Sequence, residues 1–243
     1  MTCDSLPIAS RAGGLATRLH PLTETIPKAL LEINGEPFLD HQLRLLRAAG
    51  LRRVVLCVGH LGESIREHVA GGDRFGLHVT CSFDGPTLLG TAGALRRALP
   101  LLGPAFFVMY GDSYLPCDYL AVQRAFEDCG RLGLMTVYRN EGVGDASNVE
   151  YENGRIIAYD KRNRTPRMRH IDYGLGVLRA AALEALPTDR PADLADLYAD
   201  LLQQDQLAAL EVGQPFYEIG SREGLEGLRR LLTLQDKGCS HAG

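Results

Sequence analysis

Strand-like and helix-like segments alternate over the first half of the chain. The runs at 53–58 and 105–110 are almost entirely apolar, as expected for strands buried on both faces of a sheet. Apolar residues recur at helical spacing after Phe38, up to a glycine, Gly50, at the position where helices commonly end. The other predicted elements here are strands at 29–33 and 77–83 and helices at 62–69, 91–99 and 118–129. This alternation predicts a doubly wound α/β sheet, in which ligands bind beyond the carboxyl ends of the strands.

From Leu132 onward the pattern changes to strands and hairpins. A hairpin is predicted around Glu152-Asn153-Gly154, a good turn sequence. The remaining predicted elements are strands at 134–138, 171–178, 207–212 and 216–217 and helices at 180–186 and 194–203. A chain of 243 residues can bury one sizeable core, so we expect a single compact domain with halves 1–130 and 131–234 and a polar tail, 235–243.

Composition excludes several classes of function. The formal net charge of −4 argues against a general nucleic-acid binder. The six cysteines contain no C-x-x-C pair, which argues against a zinc site and a disulfide framework. No run approaches about 18 apolar residues, and the N-terminus lacks a secretory pattern. We therefore expect a cytoplasmic protein that has no membrane or nucleic-acid partner.

The segment AGGLATRLHPLTETIPKALL, from Ala12 to Leu31, has the features of a polyphosphate site. Gly13 and Gly14 allow positive φ and close approach of backbone N–H groups to phosphate oxygens. Arg18 supplies a planar fork of donors, and Lys28 supplies a compact charge. The spacings of a dinucleotide-binding turn and of an ATPase loop are both absent.

This segment resembles the signature of the sugar-1-phosphate nucleotidyltransferases, G-G-x-G-T-R-L-x-P-L-T followed by P-K. The matching positions downstream of the glycines are Pro21, Leu22, Thr23, Pro27 and Lys28. Two features depart from the pattern. Ala16 replaces a third glycine, and the preceding LPIASR contains Pro7 and Arg11, which suit a buried strand poorly. The resemblance implies a GT-A-like nucleotidyltransferase fold with a Rossmann-like mixed sheet, in which 1–130 is the nucleotide-binding half and 131–234 the sugar-phosphate-binding half.

The resemblance also implies which residues bind the nucleotide. In the family a segment like Leu89 to Ala94 holds the base and ribose, although close packing at a helix start would explain the same small residues. The nucleotide-binding residues expected from both segments are Ala12, Gly13, Gly14, Leu15, Ala16, Thr17, Gly90, Thr91, Ala92 and Gly93.

Two carboxylates are candidate Mg²⁺ ligands. Asp112 follows an apolar strand, where a hard cation can meet substrate phosphates, although a turn or capping role would also suit an aspartate there. Glu218, in FYEIGS, resembles the second metal carboxylate of the family, which is more often aspartate. The resemblance thus implies Mg²⁺ as the cofactor.

The second half contains the candidate sugar-phosphate residues. Lys161 follows Asp160, where the family has E-K-P and its lysine grips the phosphate of the sugar phosphate. By the same resemblance Asp172 and Gly174 are expected to contact sugar hydroxyls, and Asn148 and Glu150 to face that pocket.

The activity implied is transfer of a nucleoside monophosphate from a nucleoside triphosphate to a sugar 1-phosphate, with Arg18, Lys28, Asp112 and Lys161 as catalytic residues. The loop and the length most resemble members that transfer guanylyl to mannose- or heptose-type 1-phosphates, with uridylyl or thymidylyl transfer as the alternative. A non-catalytic binding or regulatory subunit of the same fold remains open, favoured by Arg11, Ala16 and Glu218. A metal-dependent glycosyltransferase would need a D-x-D pair, which Asp112-Ser113-Tyr114 lacks. Homodimers are common in the family, so a homodimer is also an expectation.

Overall fold

A nine-stranded mixed sheet, covered by helices on both faces, organises the chain. The computed structural model describes residues 5–13, 25–140, 146–188 and 190–239, with side chains described as far as residue 235. The strands are β1 Ile8–Arg11, β2 Glu32–Ile33, β3 Glu36–Pro37, β4 Arg53–Val58, β5 His78–Phe83, β6 Ala105–Tyr110, β7 Ser113–Tyr114, β8 Gly133–Arg139, β9 Val149–Glu152, β10 Arg155–Tyr159, β11 His170–Arg179, β12 Leu207–Val212 and β13 Tyr217–Glu218. The α-helices are α1 Phe38–Ala48, α2 Gly62–Val69, α3 Gly90–Leu102, α4 Tyr119–Cys129, α5 Ala181–Glu184, α6 Leu194–Gln203 and α7 Arg222–Cys239, and 3₁₀-helices span Lys28–Leu30 and Ala70–Phe75.

The sheet has a parallel part and an antiparallel part. Strands β6, β1, β4 and β5 lie side by side and parallel, with β1 between β4 and β6. Strand β11 pairs antiparallel with β6 and extends the sheet into the second half of the chain, where β8 and β9 both pair with it. This arrangement confirms the predicted Rossmann-like mixed sheet.

Each face of the sheet has its own apolar core. One core packs α1, α2 and α4 against the sheet, and the other packs α3, α5 and α6. Side chains alternate between the two, so that Ile8 belongs to the first and Ala9 to the second. A third cluster fixes α7 against β2, β7 and Ile219. No helix in the described residues is both long and apolar enough to cross a membrane.

Most predicted elements are confirmed, and one is wrong. The predicted strand at 29–33 is instead the 3₁₀-helix Lys28–Leu30 followed by the two-residue strand β2. Its apolar residues suggested a strand, but Pro27 starts a helical turn in which the Leu31 amide donates to the Lys28 carbonyl at 3.1 Å. The Glu152-Asn153-Gly154 turn forms as expected, with positive φ at Asn153 and Gly154.

The segment LPIASR forms the central strand despite Pro7 and Arg11. Pro7 precedes the strand, a position at which the missing N–H of proline is tolerated. Its carbonyl accepts a hydrogen bond from the Phe107 amide at 2.8 Å. Ile8, Ala9 and Ser10 are fully buried. Arg11 is the last residue of β1 and is only partly buried. Neither residue prevents the strand, because each stands at one of its ends.

The ends of β1 and β6 approach too closely for any side chain at Gly111. A Cβ atom at Gly111 would lie 1.8 Å from the Arg11 carbonyl oxygen. Gly13 is required for a similar reason, since its Cβ would lie 2.5 Å from the Gly59 amide nitrogen. Gly13 does not have the positive φ that its position in the loop suggested. At both positions the missing side chain permits contact between backbones.

We expect Gly111→Ala to lower the free energy of unfolding by at least about 3 kcal/mol, because the new methyl overlaps backbone that cannot rotate away. Gly213→Ala is the matched control, since a Cβ at Gly213 has no neighbour within 4 Å. The control should stay within about 0.5 kcal/mol of the native protein in urea unfolding. Equal stability of the two variants would show that the strand ends separate easily.

Candidate functional site

The carboxyl ends of the four parallel strands meet at one edge of the sheet, above which lies a cavity. This strand-edge cavity has a volume of about 210 Å³ and is lined by Arg11, Ala12, Lys28, Ala29, Tyr110, Gly111 and Asp112. Five of these residues come from the ends of β1 and β6 or follow them directly. Such an edge is where α/β sheets bind their ligands.

Lys28 and Asp112 form an ion pair in this cavity. The Lys28 Nζ atom lies 2.7 Å from Asp112 Oδ2, and the two side chains are 18% and 40% exposed. The 3₁₀-helix holds Lys28 near Gly220, at which a Cβ would be 3.3 Å from Nζ. The ion pair brings together two residues that the sequence placed 84 positions apart.

Asp112 and Glu218 belong to neighbouring segments of backbone. Strand β13 pairs antiparallel with β7, with Glu218 opposite Ser113, and the Ile219 amide donates to the Asp112 carbonyl at 3.0 Å. Two carboxylates from adjacent positions provide the hard oxygen ligands that Mg²⁺ accepts, alongside water and phosphate. No group of three His, Cys, Asp or Glu residues in the described part of the chain could hold a metal ion. The backbones of the two candidate ligands are therefore adjacent, and of the two only Asp112 lines the strand-edge cavity.

Asp172 is the centre of a second polar cluster, the Asp172 hub, formed with Tyr110, Tyr159, Lys161 and Gly174. Tyr110 donates to Asp172 Oδ2 at 3.0 Å, and Tyr159 donates to the same oxygen at 3.4 Å. The Lys161 Nζ atom lies 3.3 Å from this oxygen and donates to the Tyr110 hydroxyl at 2.9 Å. The Gly174 amide donates to Asp172 Oδ1 at 3.0 Å. Both carboxylate oxygens are therefore engaged, and the Asp172 side chain is only 4% exposed.

The tyrosines of the hub were not identified from the sequence. Tyr110 ends the apolar run AFFVMY and resembles a core residue, and Tyr159 ends a predicted strand. Burial raises the pKa of Tyr110 well above its usual value, and the charge of Asp172 raises it further. Tyr110 thus keeps its proton and can donate to Asp172 while accepting from Lys161. The one sequence feature that indicates a functional role for Tyr110 is its position directly before Gly111-Asp112.

Lys161 belongs to the hub and also lines a second cavity of about 240 Å³ beside α6, which we call the α6 cavity. Its lining is Tyr159, Asp160, Lys161, Arg162, Asn163, Asp193, Ala195, Asp196 and Ala199. Asp160 Oδ1 accepts from the amides of Arg162 at 2.7 Å and Asn163 at 2.8 Å, and these bonds lower the pKa of Asp160. This turn fixes the backbone at Lys161. Tyr110 lines the strand-edge cavity, so the Tyr110–Lys161 hydrogen bond links the two cavities.

The segment Gly90 to Gly93 packs against residues that precede α6. The amides of Ala92 and Gly93 donate to the Ala192 carbonyl at 2.9 and 3.3 Å, and a Cβ at Gly90 would lie 2.6 Å from that oxygen. Thr91 donates to Asp193 Oδ1 at 2.9 Å and accepts a hydrogen bond from the Leu194 amide. Close packing therefore accounts for the small residues of this segment, which still borders the site through Asp193.

The other predicted site residues occupy varied positions. Asn148 Oδ1 accepts from the Asp172 amide at 2.9 Å, which ties Asn148 to the hub. Glu150 is buried and lies 3.3 Å from the Nε atom of Arg167, an exposed arginine. Among the sequence predictions, the following lie outside the described residues: Gly14, Leu15, Ala16, Thr17, Arg18, Pro21, Leu22 and Thr23.

The chain is similar to known nucleotidyltransferases over most of its length. Residues 12–147 match the family described as nucleotidyl transferase. The mannose-1-phosphate guanylyltransferase catalytic subunit beta of Danio rerio is 31% identical over 215 residues, 86% of this chain and 59% of that protein. The UTP–glucose-1-phosphate uridylyltransferase of Synechocystis sp. is 26% identical over 225 residues, 86% of this chain and 56% of that protein. This chain thus spans less than two thirds of the length of either relative.

A solved structure shows the same fold. The structure of HddC from Yersinia pseudotuberculosis, complexed with GMP-PN, has a TM-score of 0.78 at 22% identity. The match covers 93% of this chain and 99% of that chain. The mixed sheet and its helices therefore occur in a protein of low sequence identity.

We expect Thr91→Val to lower the free energy of unfolding by about 1–3 kcal/mol, because the Leu194 amide and Asp193 each lose a hydrogen-bond partner. Thr91→Ser keeps the hydroxyl and should retain most of the stability. Urea unfolding of both variants measures the difference. If valine is tolerated as well as serine, Thr91 does not join α3 to α6.

Proposed function

Because the chain belongs to the nucleotidyl transferase family, we propose that it transfers a nucleoside monophosphate from a nucleoside triphosphate to a sugar 1-phosphate and releases pyrophosphate. The observation that carries this proposal is the presence of two neighbouring cation sites, Lys28 at Asp112 and Lys161 at Asp172. Tyr110 lines the cavity of the first site and is hydrogen-bonded to both residues of the second. A reaction between two phosphorylated anions needs two such sites side by side. The carboxylates hold each ammonium group in position before the substrates bind.

The reaction needs positioning and charge stabilisation more than proton transfer. An oxygen of the sugar 1-phosphate, already an anion at neutral pH, forms a bond to the α-phosphorus. The bond from the α-phosphorus to the bridging oxygen of the β-phosphate breaks, and its electron pair leaves with pyrophosphate. Catalysis of this in-line displacement rests on orientation and on cationic groups near the transferring phosphoryl. No activated side-chain nucleophile or general base is required.

In this proposal Lys28 binds the phosphates at the reacting centre and Ala12 and Gly13 approach the triphosphate. Asp112 and Glu218 would hold Mg²⁺, which neutralises charge on the phosphate oxygens and the leaving group when it is bound. The adjacent backbone positions of these two residues support this assignment. Arg18, as in the family signature, would bind the triphosphate.

Lys161 binds the phosphate of the sugar phosphate, and the α6 cavity that it borders takes the sugar ring. Asp172 has both oxygens engaged, so we assign it to positioning Lys161 in place of the direct sugar contact expected from the sequence. Asn148 and Gly174 support Asp172 in the same way. We assign Glu150 to the pocket of the sugar, as expected from the sequence. The nucleoside lies toward Gly90 to Gly93.

Guanylyl transfer to a mannose- or heptose-type 1-phosphate is the specific activity that we propose. The similarity to a guanylyltransferase over 86% of this chain supports it. Uridylyl transfer is the second candidate, supported by the similarity to a uridylyltransferase over the same share of the chain.

Pyrophosphate release with Mg²⁺ should require one triphosphate and one sugar phosphate together. The assay is a grid of GTP, UTP, CTP, dTTP and ATP against mannose, glucose, N-acetylglucosamine and heptose 1-phosphates. Asp112→Asn keeps the shape of the side chain and removes its charge, and we expect it to lower turnover about 100- to 1000-fold. Asp118→Asn, an exposed helix cap outside both cavities, is the matched control and should retain activity. Undiminished turnover of Asp112→Asn would remove Asp112 from the catalytic machinery.

Tyr110→Phe should impair use of the sugar phosphate more than use of the triphosphate. The change removes the hydroxyl that accepts from Lys161 and donates to Asp172, while the ring stays beneath Lys161 Nζ, which lies 4.8 Å from its centroid. We expect the KM for sugar 1-phosphate to rise about tenfold, with the KM for triphosphate changing less than about twofold.

Lys161→Met should show the same selectivity with a larger rise in the KM for the sugar phosphate. Both KM values are obtained by steady-state titration of each substrate at a saturating level of the other. An equal rise in both KM values would contradict the assignment of Lys161 to the sugar phosphate.

A further inference from the structure

Arg11 is a charged residue where a buried central strand would ordinarily end in an apolar one. It ends β1 between two neighbouring strands, opposite Cys57 on β4 and Tyr110 on β6. It also lines the strand-edge cavity together with Lys28 and Asp112. The residue that departs from the pattern of a buried strand therefore lies in the candidate site itself.

The Arg11 side chain lies on the α3 face of the sheet. Side chains two apart along a strand share a face, and Ala9 belongs to the core beneath α3 and α6. Two carboxylates on that side act electrostatically with Arg11. Burial raises the pKa of Asp84, an effect that the Leu89 amide and then Arg11 oppose. The pKa of Asp193 is lowered against the effect of burial by hydrogen bonds from the Ala195 amide and Thr91, then by the charges of Lys161 and Arg11. Arg11 thus lies on the side of the sheet that carries α3.

Both carboxylates contact the segment expected to hold the nucleoside. Asp84 Oδ2 accepts from the Leu89 amide at 3.3 Å, and Asp193 Oδ1 accepts from Thr91 at 2.9 Å. Arg11 therefore stands between this segment and the Lys28–Asp112 pair. In a bound nucleoside triphosphate, the group that joins the nucleoside to the other phosphates is the α-phosphate.

The donors of the Arg11 guanidinium have no partner among the residues that the structure describes. Within the described part of the chain no hydrogen bond or ion pair engages the group, in contrast to Lys28 and Lys161, which each have a carboxylate partner. A guanidinium offers five N–H donors in a planar fork that matches phosphate oxygens. A partly buried arginine whose donors have no partner among the described residues is well suited to bind an anion that enters the cavity.

We propose that Arg11 is a further catalytic residue, whose guanidinium binds the α-phosphate of the nucleotide and stabilises the charge on its oxygens as the phosphoryl group is transferred. This inference rests on the proposed function. It assigns Arg11 to the part of the triphosphate that remains in the nucleotide sugar, and not to the pyrophosphate that leaves.

The forward and reverse reactions separate these two parts of the nucleotide. Arg11→Met removes the charge at similar length, and Arg11→Lys keeps the charge but removes the fork. We expect Arg11→Met to lower kcat/KM for the triphosphate about 100-fold and to raise the KM for the nucleotide sugar in the reverse reaction. The KM values for pyrophosphate and for sugar 1-phosphate should change less than about twofold. The kcat/KM for the triphosphate should be about tenfold higher in Arg11→Lys than in Arg11→Met.

Arg124→Met is the matched control and should behave as the native protein. Arg124 is an exposed arginine on α4 with a carboxylate neighbour, Asp118, and it lines neither cavity. Native kinetics in Arg11→Met would overturn the inference. A rise confined to the KM values of the triphosphate and pyrophosphate would also overturn it, because Arg11 would then bind the leaving group.

Direct binding distinguishes failure of this inference from failure of the proposed function. An α,β-methylene nucleoside triphosphate is titrated with Mg²⁺ into the native protein and Arg11→Met by calorimetry. A Kd at least about tenfold weaker in the variant supports the role of Arg11 in binding the nucleotide. If the variant binds more weakly in this way but the native protein releases no pyrophosphate from any substrate pair, the proposed function fails. Arg11 then remains a nucleotide-binding residue. Equal Kd values, with an active native protein, would remove the inference alone.

Discussion

The close approach of backbone at the carboxyl ends of β1, β4 and β6 is the constraint on which the site depends. Gly111 lies against the Arg11 carbonyl, and Gly13 lies against Gly59, with no room for a Cβ atom at either position. Because the strand ends are held together there, Arg11 at the end of β1 and Asp112 just after β6 line the same cavity. The 3₁₀-helix that carries Lys28 completes this cavity from outside the sheet. Packing of backbone thus determines where the charges lie.

The Asp172 hub connects this cavity to the second half of the chain through Tyr110. Asp172 lies in the irregular stretch of β11, where the register with β8 shifts between Asp172 and Gly176. The positive φ of Gly174 lets its amide turn back to the Asp172 carboxylate. That carboxylate in turn holds Tyr110 from β6 and Lys161 from the loop after β10. A single buried charge therefore joins three segments that are distant in sequence, and the hydrogen bonds from its partners compensate for its burial.

Local patterns predicted most of the fold, whereas the polar networks required tertiary structure. The elements Arg53–Val58, Gly62–Val69, Ala105–Tyr110 and Leu194–Gln203 agree with the predicted bounds, because apolar periodicity and glycine or proline boundaries are local properties. The segment after Pro27 was predicted wrongly, since its short apolar run does not distinguish a strand from a helical turn. Tyr110 could not be recognised, because its hydroxyl acts through Asp172 and Lys161, which the sheet brings near only after folding. The assignments of Asp112, Glu218 and Lys161 to substrate and metal stay predictions.

The antiparallel pairing of β6 with β11 has a consequence for the order of assembly. Met109 pairs with Leu175, so the central sheet is closed by a strand that emerges from the ribosome long after its partner. Until β11 arrives, β6 presents an unpaired, strongly apolar edge of the kind that promotes aggregation. The loop that must close before this contact forms is long, which slows folding relative to the local βα units. The hydrogen bond between Tyr110 and Asp172 lies beside this junction, and it can form only when β11 has paired with β6.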